Sequence, residues 1–166
     1  MLLGFALSSR RSELVSIIED INLIESKGID VIVRQTKTDE IKRKSILYAH
    51  NNYCVIKALQ EWLETSEINQ GAIFRSINRH GQVGDRLTSQ TVNLIVKKYA
   101  DVAGLDPSVF AGHSLRSGHA TSAGEKGFNQ SAIMKQGGWN TPAMASRYQQ
   151  EGQRFENNTS SILRLL

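Results

Sequence analysis

From Asp106 onward the chain is punctuated so often that no long helix can run through it. Asp106-Pro107 supplies an N-cap and then a proline at the first helical position, where its missing N–H costs nothing. Ser114 serves as cap for a helix running toward Gly124 or Gly127, and Asn129 opens another that stops at Gly137-Gly138. Thr141-Pro142 opens a fourth. The stops place glycine where the chain needs a left-handed residue to leave a helix. The closing NNTSSILRLL has Ser/Thr caps ahead of an apolar cluster, Ile162, Leu163, Leu165 and Leu166. A series of short helices is predicted for this third of the chain.

Upstream, GFALSSRRSELVSII puts Leu7, Leu14, Ile17 and Ile18 at helical spacing and predicts one amphipathic helix with an uncapped start. GIDVIVRQTKTDEIKRKSILYA alternates around Ile29, Val31 and Val33 and again around Ile46 and Tyr48, with a polar middle at Thr36–Lys44. Such alternation predicts a short antiparallel hairpin or meander. NNYCVIKALQEWLET reads as a helix with asparagine as N-cap. GAIFRSI is a short strand or extended segment, and LTSQTVNLIVKKYADVAG is an amphipathic helix entered at Thr88 or Ser89 and closed at Gly104. The expected fold is mainly α with a small antiparallel β-hairpin (α+β), in one domain over residues 1–166.

The chain has a formal charge of +4, which suits an anionic partner. Much of the positive charge sits in KTDEIKRK, RSINRHGQVGDR and VKK, at loops and element ends. The single cysteine, Cys54, excludes an internal disulfide framework and, within YCVIKAL, reads as a buried thiol. No apolar run approaches the roughly 18 residues of a membrane span, and MLLGFAL lacks the form of a signal peptide. A cytoplasmic protein with no membrane partner is expected.

Several polar features stand at predicted helix ends or loop tips: Arg10 with Glu13, Lys37 on the hairpin, His113 with Arg116, Trp139 after two glycines, and Tyr148. Arg10 and Glu13 are one helical turn apart, as are His113 and Arg116. Each pair alone reads as an ordinary surface contact. Taken in order, RRSEL, RQTKT, GHSLRS and GGWNTPAMASRYQ resemble the motifs of the tyrosine recombinase (phage integrase) catalytic domain. The GGW before the tyrosine helix and the arginine-leucine-leucine tail are similar to the Cre-like branch. The resemblance covers nearly the whole chain.

It implies a DNA strand-breaking and rejoining enzyme in which Tyr148 attacks a DNA phosphodiester, forming a 3′-phosphotyrosine and releasing a 5′-hydroxyl. Arg10 and Arg116 would hold the non-bridging oxygens through planar, permanently charged guanidinium groups. The two arginines and His113 would favour the phenolate or receive its proton, and Lys37 would protonate the departing oxygen. Trp139 would donate its indole N–H to the phosphate, with Glu13 orienting the first arginine or the histidine. Because the covalent link conserves bond energy, a 5′-hydroxyl of another strand can reverse the step, and no cofactor or metal is required.

The same resemblance implies double-stranded DNA as partner and a nucleoid-associated tetramer assembled on it through the C-terminal helix, with a monomer possible without DNA. It further suggests a first helix truncated at its start and an amino-terminal core-binding domain absent ahead of it. Arg75, Arg79, Arg86, Lys97 and Lys98 are candidates for DNA-backbone contact. If the hairpin register differs, Lys42, Arg43 or Lys44 replaces Lys37 as the acid. His119 reads as a capping or core histidine, and His50 and His80 as surface or phosphate contacts. Tyr48, Tyr53 and Tyr99 lie in apolar periodic contexts that predict core packing. Gly112 and Gly118 are expected to allow close approach of backbone and DNA. Two other functions fit similar chemistry or ancestry: type IB topoisomerase-like strand passage, and a non-catalytic DNA-binding relic.

Overall fold

The structure is a computed structural model that describes all residues except 19–20, 25–26, 35–40, 157 and 165–166. It divides into two compact units, Met1–Arg116 and Ser117–Leu166.

In the first unit, the single helix expected over residues 4–18 is two: α1 (Leu2–Ala6) and α2 (Arg11–Ser16). The break is a glycine-free version of a common helix stop. Ser8 adopts φ 49°, Ser8 N donates to Phe5 O at 2.9 Å, and Ser9 N donates to Gly4 O at 3.1 Å. These two bonds satisfy carbonyls orphaned at the helix end, with serine where glycine usually sits. Arg10 then caps α2 in an extended conformation, its backbone N–H donating to Glu13 Oε2 at 2.9 Å. The apolar spacing survives the break, since Leu7, Leu14 and Ile17 are all buried.

The predicted hairpin is present as β2 (Gly28–Arg34) and β3 (Ile41–Leu47), joined by an unanticipated strand, β1 (Ile21–Ile24), in a sheet of order β1-β2-β3. Most of β1 is exposed, so it carries no alternating signature. The β2–β3 register pairs Ile29 with Ile46 and Val31 with Lys44. Ile29, Val31, Val33 and Ile46 are buried, and so is Lys44 at 5% exposure. Helix α3 (Val55–Ser66) adds Val55, Ile56 and Leu59 to the same core. Its N-cap is Cys54 and not asparagine; Asn51 instead accepts from the Tyr53 N–H. Cys54 is a free, buried thiol.

A second small sheet pairs β4 (Arg75–Ile77) with β5 (Val83–Arg86). Helix α4 (Ser89–Val102) is entered as expected: Thr88 accepts from the Thr91 N–H, and Gly104 leaves with φ 74°. The helix expected at Asp106-Pro107 is only a 3-10 turn, Pro107–Val109, because Phe110 is already extended.

The division falls within α5 (Ser114–Glu125). Ser114 is the first residue of α5, and its Oγ accepts from the preceding Ala111 N–H. In the second unit, α6 (Gln130–Gly137) is capped by Asn129 and ended by Gly138 at φ 67°. Helix α7 (Pro142–Gly152) carries Tyr148, and a 3-10 segment, Thr159–Arg164, follows. Ala120, Ile133 and Ala145 form its small core. Helices α5 and α7 meet with almost no space between them: a Cβ on Gly152 would lie 2.3 Å from Thr121 O and 2.5 Å from Glu125 N.

Candidate active site

The first unit assembles its charged residues around the α1–α2 turn. Glu13 is buried and binds Arg10 twice, through the backbone N–H and through Nη1 to Oε1 at 2.6 Å. The carboxylate is 4% exposed and the arginine side chain 49% exposed, so a fixed anion anchors a presented cation. An open cleft of about 400 Å³ is lined by Arg10, Ser12, Asn93, Gly112 and His113, among others. The loop carrying His113 is tied down by Gly112 N donating to Asn93 Oδ1 at 2.9 Å. A Cβ on Gly112 would sit 3.2 Å from Arg11 Cβ, so glycine here accommodates the Arg11 side chain.

His113 precedes the first residue of α5, leaving only Arg116 within the helix. Its pKa is lowered by partial burial first, then by the charges of Arg116 and Arg10. At neutral pH this favours an imidazole able to accept a proton. Arg116 is 1% exposed. Its Nη1 donates to Ser8 O at 3.0 Å, and Ser8 Oγ donates back to Arg116 O at 3.4 Å.

Lys44, considered from sequence only as a replacement acid, is another member of this group. Its Nζ donates to Leu7 O at 2.6 Å. Its pKa is lowered to about 8 by burial, opposed by Glu13 and reinforced by Arg116, Arg10 and Lys42. The strand parity was the available signal, because Lys44 shares its inward face with Ile46. Its neighbour on the strand, Arg43, lies 4.0 Å from Asp30 and its side chain is 70% exposed. Lys37 lies outside the described residues.

In the second unit, Trp139 and Tyr148 form a tilted aromatic pair with ring centroids 5.7 Å apart. The two preceding glycines have different jobs. Gly138 supplies the left-handed helix end, whereas a Cβ on Gly137 would lie 2.0 Å from Trp139 Cζ3, inside the space the indole occupies. Tyr148 is half-buried against the Ala120–Ile133–Ala145 core.

The candidate DNA contacts differ in what they already do. Arg75 donates to Ala72 O and Gln70 O, and Arg86 Nη1 donates to Val15 O at 2.8 Å. Arg79 and Lys98 are exposed and Lys97 is half-buried. Arg79 Nε donates to His80 Nε2, and Lys98 lies 6.0 Å from the Tyr99 ring centroid. His50 is exposed and His119 half-buried. Tyr48 packs against the core, but Tyr53 and Tyr99 are 73% and 52% exposed, contrary to the packing expected for them. Among the described residues, no three His, Cys, Asp or Glu side chains are grouped to hold a metal ion, and no helix is long and apolar enough to cross a membrane.

Comparison with known proteins settles the ancestry of this arrangement. The model of the phage integrase family matches residues 1–154. The chain belongs to that family. Its members are tyrosine recombinases, enzymes that break and rejoin DNA. An integrase/recombinase XerD homolog from Selenomonas ruminantium is 39% identical over 161 residues, covering 94% of this chain and 47% of the relative. The chain thus spans about half the length of that curated relative. Among solved structures, XerH site-specific recombinase bound to palindromic difH substrate, in a post-cleavage complex, aligns with a TM-score of 0.75 at 18% identity. That alignment covers 98% of this chain and 44% of XerH. XerA recombinase aligns with a TM-score of 0.65 at 21% identity, covering 98% of this chain and 54% of its own. These structures share the mainly helical fold with small antiparallel sheets.

Proposed function

We propose that this chain is the catalytic part of a site-specific DNA recombinase that acts through a 3′-phosphotyrosine intermediate. Tyr148 Oη attacks phosphorus, the bond to the 5′-oxygen breaks, and the phenolic proton passes to His113. The departing oxygen takes a proton from Lys37. Arg10 and Arg116 stabilise the charge on the non-bridging oxygens, the kind of electrostatic term that often dominates catalysis. Trp139 positions Tyr148 and donates its indole N–H to the phosphate. Attack by a 5′-hydroxyl of a second strand reverses the step and completes exchange.

The observation that carries this reading is the Arg10–Glu13 pair at the cleft beside His113. A buried carboxylate holds a half-exposed guanidinium next to an imidazole biased toward its neutral form. That combination suits an anion whose reaction needs both charge stabilisation and a proton acceptor. Double-stranded DNA is the proposed partner. The exposed Ile162 and Leu163 of the last segment are proposed to dock on another protomer in a DNA-bound tetramer.

The test is covalent trapping on nicked suicide duplexes drawn from a random-sequence pool. Wild type should form an adduct that Tyr148→Phe does not form. Absence of any adduct from wild type sinks the enzyme reading and favours a DNA-binding relic. Relaxation of supercoils without recombinant joints favours topoisomerase-like strand passage.

A further inference from the structure

Two cations on different elements hold consecutive carbonyls of one turn. Lys44, from β3, takes Leu7 O at 2.6 Å, and Arg116, from α5, takes Ser8 O at 3.0 Å. Between those carbonyls lies the Ser8 backbone at φ 49°, a conformation that non-glycine residues seldom keep without support. Two residues later the chain presents Arg10, whose other tether is Glu13. The direction of the Arg10 side chain is therefore set by a turn with one clamp from the sheet and one from the helix. We propose that Lys44 is a positioning residue for DNA strand cleavage, holding the Leu7–Ser9 turn so that Arg10 meets the phosphate in register.

This inference rests on the recombinase reading above. It assigns Lys44 a role distinct from proton donation to the leaving group. The lysine is only 5% exposed, and its ammonium spends a hydrogen bond on a backbone carbonyl. The charged groups around it are Glu13 and Arg10 from the turn and α2, Arg116 from α5, and Lys42 on its own strand. Only Glu13 is acidic, so its charge is shared among several cations. That leaves the cluster with surplus positive charge, as a site for a phosphodiester requires.

The experiment measures single-turnover adduct formation by the whole chain on a nicked duplex selected from the random-sequence pool, alongside DNA affinity by gel shift. Lys44→Met should cut the cleavage rate ten- to a hundredfold, the scale of an approximately 1 Å misplacement of a catalytic group, while changing DNA affinity less than about threefold. Lys44→Arg, which keeps a cationic donor, should recover most of the rate. A duplex with sulfur in place of the scissile 5′-oxygen separates positioning from acid catalysis, because a thiolate leaves without protonation. The Lys44→Met defect should persist on that substrate. Full rescue by sulfur would make Lys44 the acid and overturn the proposal, as would an unchanged rate on the ordinary duplex. Lys44→Gln supplies the same comparisons if the methionine variant does not fold. A wild type that forms no adduct overturns the function and this inference together; a cleaving wild type matched by Lys44→Met overturns the inference alone.

Discussion

Lys44→Met should flatten the alkaline rise in stability of the first unit. The lysine pKa falls from 10.5 to about 8 on folding, a difference near 2.5 units, or about 3 kcal/mol at 1.36 kcal/mol per unit. At 5% exposure the side chain is shielded from solvent screening. The sign follows from which state binds the proton. Below pH 8 both states are protonated and the folded state bears the full cost of a buried charge. Between pH 8 and 10.5 the folded lysine releases its proton while the unfolded one keeps it, so stability rises with pH.

At pH 7 the net effect of Lys44→Met should be small. Removing the charge relieves about 3 kcal/mol, but losing a charged hydrogen bond to Leu7 O costs roughly 1.5–3 kcal/mol. The slope discriminates where a single pH does not. Urea unfolding followed by Trp62 fluorescence in a Trp139→Phe background reports on the first unit alone, since Trp62 packs on its core and donates to Ile73 O. Wild type should gain about 3 kcal/mol relative to Lys44→Met from pH 7 to pH 10.5. Parallel curves over that range would show that Lys44 is not a buried cation.

Other perturbations test the neighbouring contacts. Glu13→Gln removes the anion opposing the cost of burying Lys44 and should destabilise the first unit by about 3–5 kcal/mol; a loss below about 1 kcal/mol in the Trp62 assay refutes the cluster. His113 should titrate by NMR below its ordinary 6.5, making folding lose stability as pH drops through 6.5 toward the folded pKa. Arg10→Met should raise that midpoint only part-way, because burial, the larger cause, remains. Gly152→Ala forces a Cβ against the α5 backbone at Thr121 and Glu125, and should destabilise the second unit by about 2–3 kcal/mol in urea unfolding read by Trp139. Gly137→Ala must displace the Trp139 ring, so Trp139 emission should change and adduct formation should fall with DNA affinity retained.

Local chemistry determined a good part of this protein from sequence. Thr88, Asn129 and Gly138 terminate helices where their side chains or lack of one dictate, because a cap is decided within a few residues. The alternation around Ile29, Val31 and Val33 announced a strand for the same reason. Residue type and order singled out Arg10, Glu13 and His113 as candidates; Arg10 and His113 line one cleft of the first unit, with buried Glu13 holding Arg10. What tertiary structure alone decided is where the local signal was silent or misleading. Ser8 ends a helix in a glycine's conformation because Lys44 and Arg116 hold the adjoining carbonyls, and those cations lie 37 and 108 residues along the chain from the carbonyls they hold. Asn51, well suited to cap α3, caps nothing because the chain turns there first. Lys44 shares strand parity with Ile46, but only the folded β2–β3 pairing and the α1–α2 turn bury its charge against the Leu7 carbonyl. Capping and periodicity act through neighbours in the chain; the burial of a charge depends on what distant segments bring to it, and only the folded arrangement supplies that.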